Sequence, residues 1–284
     1  MNQLIKFGER PRLRHGRVVA VGNLKGGTGK STVSVNLACA LAAAGKTTAI
    51  LDTDPQSTAT RWAELEKLPV ACYPAPLASL DAVGSWIADS EELRFKTDIL
   101  VIDLPSVVVP AMGAAFMIAD VIVVPVGTSL PDLDGTQRVL QYVELAHRER
   151  RKHPPQIVLV PTRVTDEVPD PVGTVSRHLG LSKELIAPPL PHHLAFQESY
   201  AWGEWVGSLA PESPAHERVQ ELARFVLDRL EKVEPAPLWL GGKARRLRLD
   251  LASDALDDPF GEEASEGSGE GARRSWWRRL FFRR

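Results

Sequence analysis

The sequence predicts an α/β architecture, a doubly wound, mostly parallel sheet flanked by helices. Three observations predict it. Short runs rich in Val and Ile recur between residues 17 and 161, stretches of helical length separate them, and a glycine-rich turn joins the first run to the first helical stretch. Strands buried on both faces read as continuous apolar runs, and their alternation with helices marks a layered α/β domain.

The elements follow in order. RVVAVG (17–22), TTAILD (47–52), DILVID (98–103), DVIVVPV (120–126) and QIVLVP (156–161) are the expected strands. Helices are expected over 30–44, 57–67, 109–119 and 133–150. A closing helix spans 213–233, where Val219, Leu222, Phe225, Val226 and Leu230 keep helical spacing. The folded domain is therefore expected over 17–234. Residues 1–16 form a basic lead-in with Lys6, Arg10, Arg12 and Arg14. Residues 235–271 are expected to be a largely disordered acidic linker, since 249–271 hold eight acids and no Lys or Arg. Residues 272–284 form a short amphipathic Arg/aromatic tail, and the chain has no internal repeats.

Composition narrows the function. The chain has 284 residues and a net charge of −2, which excludes a globally basic nucleic-acid coat but not a local patch. Two cysteines, Cys39 and Cys72, cannot build a disulfide framework or a Cys-rich metal site. No apolar run reaches the ~20 residues of a membrane span, and the first residues lack the apolar centre of a secretory signal. The expected location is cytoplasmic, with nucleoid or membrane association as a further expectation.

GNLKGGTGKST (22–32) follows the first strand and leads into an apolar helix. Exposed backbone N–H groups and a helix N-terminus make such a turn a cradle for a polyphosphate. Lys30 would reach the outer phosphates and the Ser31 hydroxyl would ligate Mg²⁺. Leu24 stands where the strict pattern has glycine, while Gly27, Thr28, Gly29, Lys30, Ser31 and Thr32 are in place. KGGTGKST, Lys25 and Gly26 included, resembles the deviant Walker A motif of the ParA/MinD family of P-loop ATPases. The resemblance implies a P-loop NTPase fold, ATP and Mg²⁺ as cofactors, and a homodimer when ATP is bound. It also implies that Lys25 reaches across the dimer to the partner's phosphates.

The carboxylates extend the resemblance. Asp52 and Asp54 lie in LDTDPQSTAT at the end of the second strand, and Asp103 ends DILVID. Ligands of open α/β sheets bind at the carboxyl ends of strands, so all three are expected to converge on the phosphate loop. Asp103 resembles the Walker B aspartate that holds Mg²⁺ through water. Asp54 resembles the residue that positions the attacking water, Asp52 would support the metal shell, and Gln56 completes the DPQ signature. PVGTSLPDLDGT (125–136) resembles the loop after the fourth core strand, with Gly127, Thr128 and Ser129 replacing the usual Gln-Pro-Ser. VPTRV (160–164) and LPHHLAFQESYAWGEWV (190–206) resemble segments bordering the base, which would place Thr162 or Arg163 near adenine and Pro191 against it.

An iron–sulfur reductase of this family would need paired bridging cysteines, which Cys39 and Cys72 do not supply, and no signature of a metabolic ligase is present. The resemblance then implies an ATPase, slow and stimulated by an activating partner, that segregates or positions DNA or a large intracellular assembly. Alternatives are a MinD-like membrane-associated regulator using the tail, and a nucleotide-dependent scaffold with little hydrolysis. Sixteen residues before the first strand are too few for a helix-turn-helix, so any DNA binding is expected to be non-specific and to need Lys or Arg on the face of the dimer. Arg138, Arg148, Arg150, Arg151, Lys152, Arg177 and Lys183 are the candidate phosphate contacts. In SWWRRLFFRR, a helix would gather Trp276, Trp277, Leu280 and Phe281 on one face. That suits an anionic membrane surface, a partner groove, stacking on nucleic acid, or docking back on the chain itself.

Overall fold

The computed structural model describes residues 16–236 apart from 78, 108–109 and 151–152. The expected lead-in before residue 16, the linker beyond residue 236 and the tail at 272–284 lie outside the described residues.

The described residues build a six-stranded parallel sheet: β1 (Arg17–Val21), β2 (Thr48–Asp52), β3 (Ala71–Pro74), β4 (Ile99–Asp103), β5 (Val121–Val126) and β6 (Gln156–Pro161), in the order β3-β2-β4-β1-β5-β6. Five strands coincide with the expected apolar runs to within a residue at either end. The edge strand β3 was not foreseen. It is four residues long and mostly exposed, so it carries no apolar run, and its Pro74 is tolerated at the end of an edge strand.

Alternation along the strands feeds two cores. Val18, Ala20, Leu100, Ile102, Ile122 and Val124 face one layer, built by α3 (Val83–Lys96), α4 (Pro110–Ile118), α5 (Leu130–Glu149) and α6 (Pro171–Leu179). Val19, Val21, Ile50, Val101, Val123 and Val158 face the other, built by α1 (Lys30–Ala43), α2 (Thr58–Ala63), α7 (Leu194–Trp202), α8 (Val206–Leu209) and α9 (Pro214–Lys232). α1 is buried at every position from Val33 to Leu41, which is why its sequence is apolar all round. The closing helix matches α9, where Ser213 caps the N-terminus by accepting from the His216 amide at 3.2 Å.

α3 was not foreseen because charged residues break its apolar stripe. Two of them, Glu91 and Arg94, are buried at the amino ends of the strands. There Arg94 donates to the carbonyls of Gly16 (2.6 Å) and Ala236 (3.0 Å) and lies 3.7 Å from Asp120. Asp120 accepts from the amides of Val18 (2.7 Å) and Ala236 (2.5 Å). Arg150, an expected DNA contact, is buried beside this cluster and donates to the carbonyls of Phe116 (3.3 Å) and Ala119 at the end of α4. Its packing under α4 removes it from the exposed surface.

Candidate functional site

The loop from Gly22 to Gly29 carries the chain from β1 into α1. Gly27 (φ +75°) and Gly29 (φ +84°) are left-handed, and a Cβ on Gly29 would meet nothing within 4 Å. Conformation rather than crowding therefore selects glycine there, at a cost of about 1–2 kcal/mol for any other residue. The space over Gly26 is open in the same way.

Two buried side chains hold the loop. Asn23 donates to the Pro125 carbonyl (2.8 Å) and the Thr136 hydroxyl (3.0 Å), and its own oxygen accepts from the Lys25 amide (3.0 Å). Thr162 donates to the Thr28 carbonyl at 2.8 Å. Lys30 opens α1, is buried, and donates to the Ser106 hydroxyl and to the Lys25 carbonyl (3.5 Å). Burial pulls its pKa down, against the opposing pull of Asp103 and Asp54. Lys25 is half-buried, its stem packed on α5 where a Cβ at Gly135 would lie 3.4 Å from the Lys25 Cβ. Ser31 and Thr32 follow, both half-buried.

Strand register brings the carboxylates to one level. Val21 and Asp52 both pair with Asp103 across the sheet. Asp103 is fully buried. Its Oδ1 accepts from the Ser34 hydroxyl at 2.8 Å, while its Oδ2 has no hydrogen-bond partner among the described residues. Burial pushes its pKa up to about 7; the Ser31 hydroxyl opposes the rise, Asp52 adds to it, and Ser34 and Lys30 oppose it. Asp52 is buried too, but its oxygens accept from the Asp54 amide (3.1 Å) and from the Thr60 amide and hydroxyl (both 2.8 Å). Asp52 thus fixes the turn that carries Asp54. Asp54 is half-buried, with Oδ1 accepting from the Gln56 amide at 2.8 Å.

The base-side residues divide. Thr162 is buried and spends its hydroxyl on the phosphate loop. Arg163 is half-exposed and left-handed (φ +55°), 3.5 Å from Asp132, with its guanidinium near Gly27. Pro191 pairs with Val164 in an isolated parallel bridge beyond β6. A Cβ on Gly127 would fall 2.1 Å from the Asp132 carboxylate, which accounts for glycine in this altered loop.

An anionic, magnesium-bearing ligand fits these residues. Open backbone at Gly26 and Gly29 and two lysines stand where phosphates would sit. The unpartnered Asp103 oxygen, deep in the protein beside Ser31, is costly unless a cation or its water meets it. Among the described residues no three His, Cys, Asp or Glu cluster as metal ligands. Mg²⁺ needs only one or two carboxylates with its waters and phosphate oxygens, so this donor set suffices. Asn23, Ser34 and Ser106 were missed in the sequence. Ser34 lies one turn after Ser31 on α1, a spacing that could have flagged it. Asn23 and Ser106 carry no local signal.

A family profile described as the CobQ/CobB/MinD/ParA nucleotide binding domain matches residues 19–199. The chromosome-partitioning ATPase Soj of Thermus thermophilus is 27% identical over 247 residues, covering 76% of this chain and 97% of Soj. The maintenance of carboxysome distribution protein A of Gloeobacter kilaueensis is 36% identical over 130 residues, 43% of this chain and 55% of that one. The septum site-determining protein MinD of Pyrococcus horikoshii, solved with Mg-ADP, shares the fold at a TM-score of 0.57 and 19% identity, covering 74% of this chain and 96% of MinD.

Proposed function

The chain belongs to the ParA/MinD family of P-loop ATPases, and from that premise we propose that it dimerises on ATP and uses hydrolysis to segregate or position DNA or a large intracellular assembly. The observation that carries this reading is the level meeting of the phosphate loop with Asp103, whose Oδ2 has no hydrogen-bond partner among the described residues. The names of two relatives, one a chromosome-partitioning ATPase and one a protein of carboxysome distribution, support a positioning role.

The residues take the following parts. The amides of Gly26, Gly27, Thr28 and Gly29 receive phosphate oxygens, and Lys30 neutralises the outer phosphates. Ser31 and Asp103 hold Mg²⁺, and Thr32 adds a donor at the helix start. Bound magnesium–ATP supplies a polarised terminal phosphoryl group. Asp54 holds the attacking water, and Asp52 keeps Asp54 in place. Lys25 neutralises charge at the phosphates of the second subunit. Arg163 and Pro191 border the base, and Thr162 braces the loop beneath. Slow turnover is expected until a partner completes the site. The Arg/aromatic sequence of 272–284 favours a second reading, in which the surface bound is an anionic membrane.

Turnover by the full chain alone, with duplex DNA and with anionic vesicles separates these readings. Lys30→Ala should abolish nucleotide binding. Asp54→Ala should keep ATP bound in a stable dimer while turnover falls about 100-fold or more. Normal turnover by Asp54→Ala would overturn the assignment of the water.

A further inference from the structure

An exposed aromatic patch lies outside the nucleotide site, where the end of α2 meets the end of α7. Leu65 (54% exposed), Tyr200 (41%) and Trp202 (60%) form it. They share one surface. Leu65 packs on Gly203, where a Cβ would lie 2.5 Å from its own Cβ. Tyr200 stands edge-on to the buried Trp62 at 5.3 Å, and the Trp62 indole donates to the Glu204 carbonyl at 2.7 Å. Exposed large apolar groups gathered in this way mark an interaction surface.

The rim has a sign. The exposed Glu64 and Glu66 flank Leu65 in the chain, the exposed Glu198 stands one turn before Trp202 on α7, and the half-buried Glu204 meets Trp62 through its carbonyl. Glu66 sits in the left-handed region (φ +55°), a strained place for a side chain that glycine would relieve. The Trp202 ring already carries a cation: Lys67 Nζ lies 5.9 Å from its centroid and 3.5 Å from Glu204. Arg61, the other nearby cation, turns instead to the Gln56 carbonyl. An acidic rim around exposed aromatics suits a cationic, aromatic segment better than it suits DNA or anionic lipid. A groove of about 610 Å³ between the ends of α1 and α3 is lined by Lys46 and Lys96 and has the wrong sign for such a ligand.

The chain carries a segment of that chemistry. Residues 272–284 hold six arginines and four aromatics with no acid. Reach does not forbid contact: residues 237–271 extend at most roughly 115 Å, against a domain roughly 45 Å across. We propose that the tail at 272–284 docks on the Leu65–Tyr200–Trp202 patch of its own chain, its arginines meeting the glutamate rim and one guanidinium replacing Lys67 over Trp202. A guanidinium stacks on an indole better than an ammonium does, which favours the exchange.

The test uses the full chain without nucleotide, carrying photoreactive benzoylphenylalanine in place of Trp277. Irradiation should give adducts within 64–67 or 198–204 of the same chain. Their yield should fall at least tenfold in Glu64→Lys/Glu66→Lys, and also in Trp202→Ala, whose side chain is exposed enough to be removed without disturbing the core. Adducts elsewhere, or a yield unchanged in Trp202→Ala, would overturn the proposal. So would mass-mixed adducts from isotopically labelled and unlabelled chains, which assign the patch to a second copy. Adducts that form only when phosphatidylglycerol vesicles are present would overturn it in favour of a lipid surface.

Discussion

The Thr162 hydroxyl, just past β6, donates to the Thr28 carbonyl of the phosphate loop at 2.8 Å across 134 residues of chain. It links the loop after β6 to the loop after β1. Thr162→Val keeps the shape and removes the donor, leaving the Thr28 carbonyl short of its partner. The expected loss is about 1–2 kcal/mol of stability, read as a lowered melting temperature. Nucleotide affinity should weaken up to about tenfold by calorimetry, the same energy expressed in binding.

Asn23→Ala should be more damaging. Three hydrogen bonds end on this fully buried side chain, tying β1 to β5 and α5. Its loss strands several polar groups at once and should cost about 2–4 kcal/mol. Denaturant unfolding should show the shifted midpoint with an unchanged slope.

Asp103 makes the free protein sensitive to pH. Its folded pKa is raised to about 7, against about 3.9 in an unfolded chain. Between those values the folded state holds a proton that the unfolded state has lost, so stability falls as pH rises from 4 to 7 and flattens above. Asp103→Asn should flatten that slope and raise the melting temperature at pH 8, while magnesium-dependent nucleotide binding is lost. Parallel melts from pH 4 to 8 check both effects.

Lys25→Ala separates binding from assembly. The Lys25 amide, not its ammonium, is tied to Asn23, so the loop should keep its form. ATP should bind within about threefold of normal, while sedimentation with ATP shows a monomer.

Asp120→Ala tests the far end of the sheet. Asp120 accepts from two backbone amides and faces Arg17 (3.4 Å) and Arg94 (3.7 Å). Removing it strips the Val18 and Ala236 amides of their acceptor and leaves Arg94 only Glu91 (3.3 Å) as a carboxylate partner among the described residues, for an expected loss of about 2–4 kcal/mol. Hydrogen exchange should show the end of α9 and Ala236 loosened first.

The sequence made legible whatever a local pattern encodes. Each buried strand was a continuous Val/Ile run, and the phosphate loop lay between a strand and a helix, so Gly27, Gly29 and Lys30 were readable. Asp103 and Asp52 were readable because each ends such a run. Contacts made across long stretches of chain were not readable. Nothing near Thr162 points to Thr28; the resemblance offered Thr162 or Arg163 beside the base, and the bond to the loop came only with the fold. Asp52 was expected at the metal shell, and only the folded chain shows Thr60 and the Asp54 amide taking its oxygens. Glu91 and Arg94 hid α3 because Arg94 is satisfied by Gly16 and Ala236, far away in sequence, and Glu91 by Arg94. Arg150 was expected among the phosphate contacts, whereas carbonyls at the end of α4 draw its side chain inward.

The anchoring of Ala236 has a geometric consequence. Arg94 and Asp120 pin that residue at the amino edge of the sheet, whereas the phosphate loop crowns the carboxyl edge. Two subunits pressed together through their phosphate loops would leave these anchor points at opposite poles.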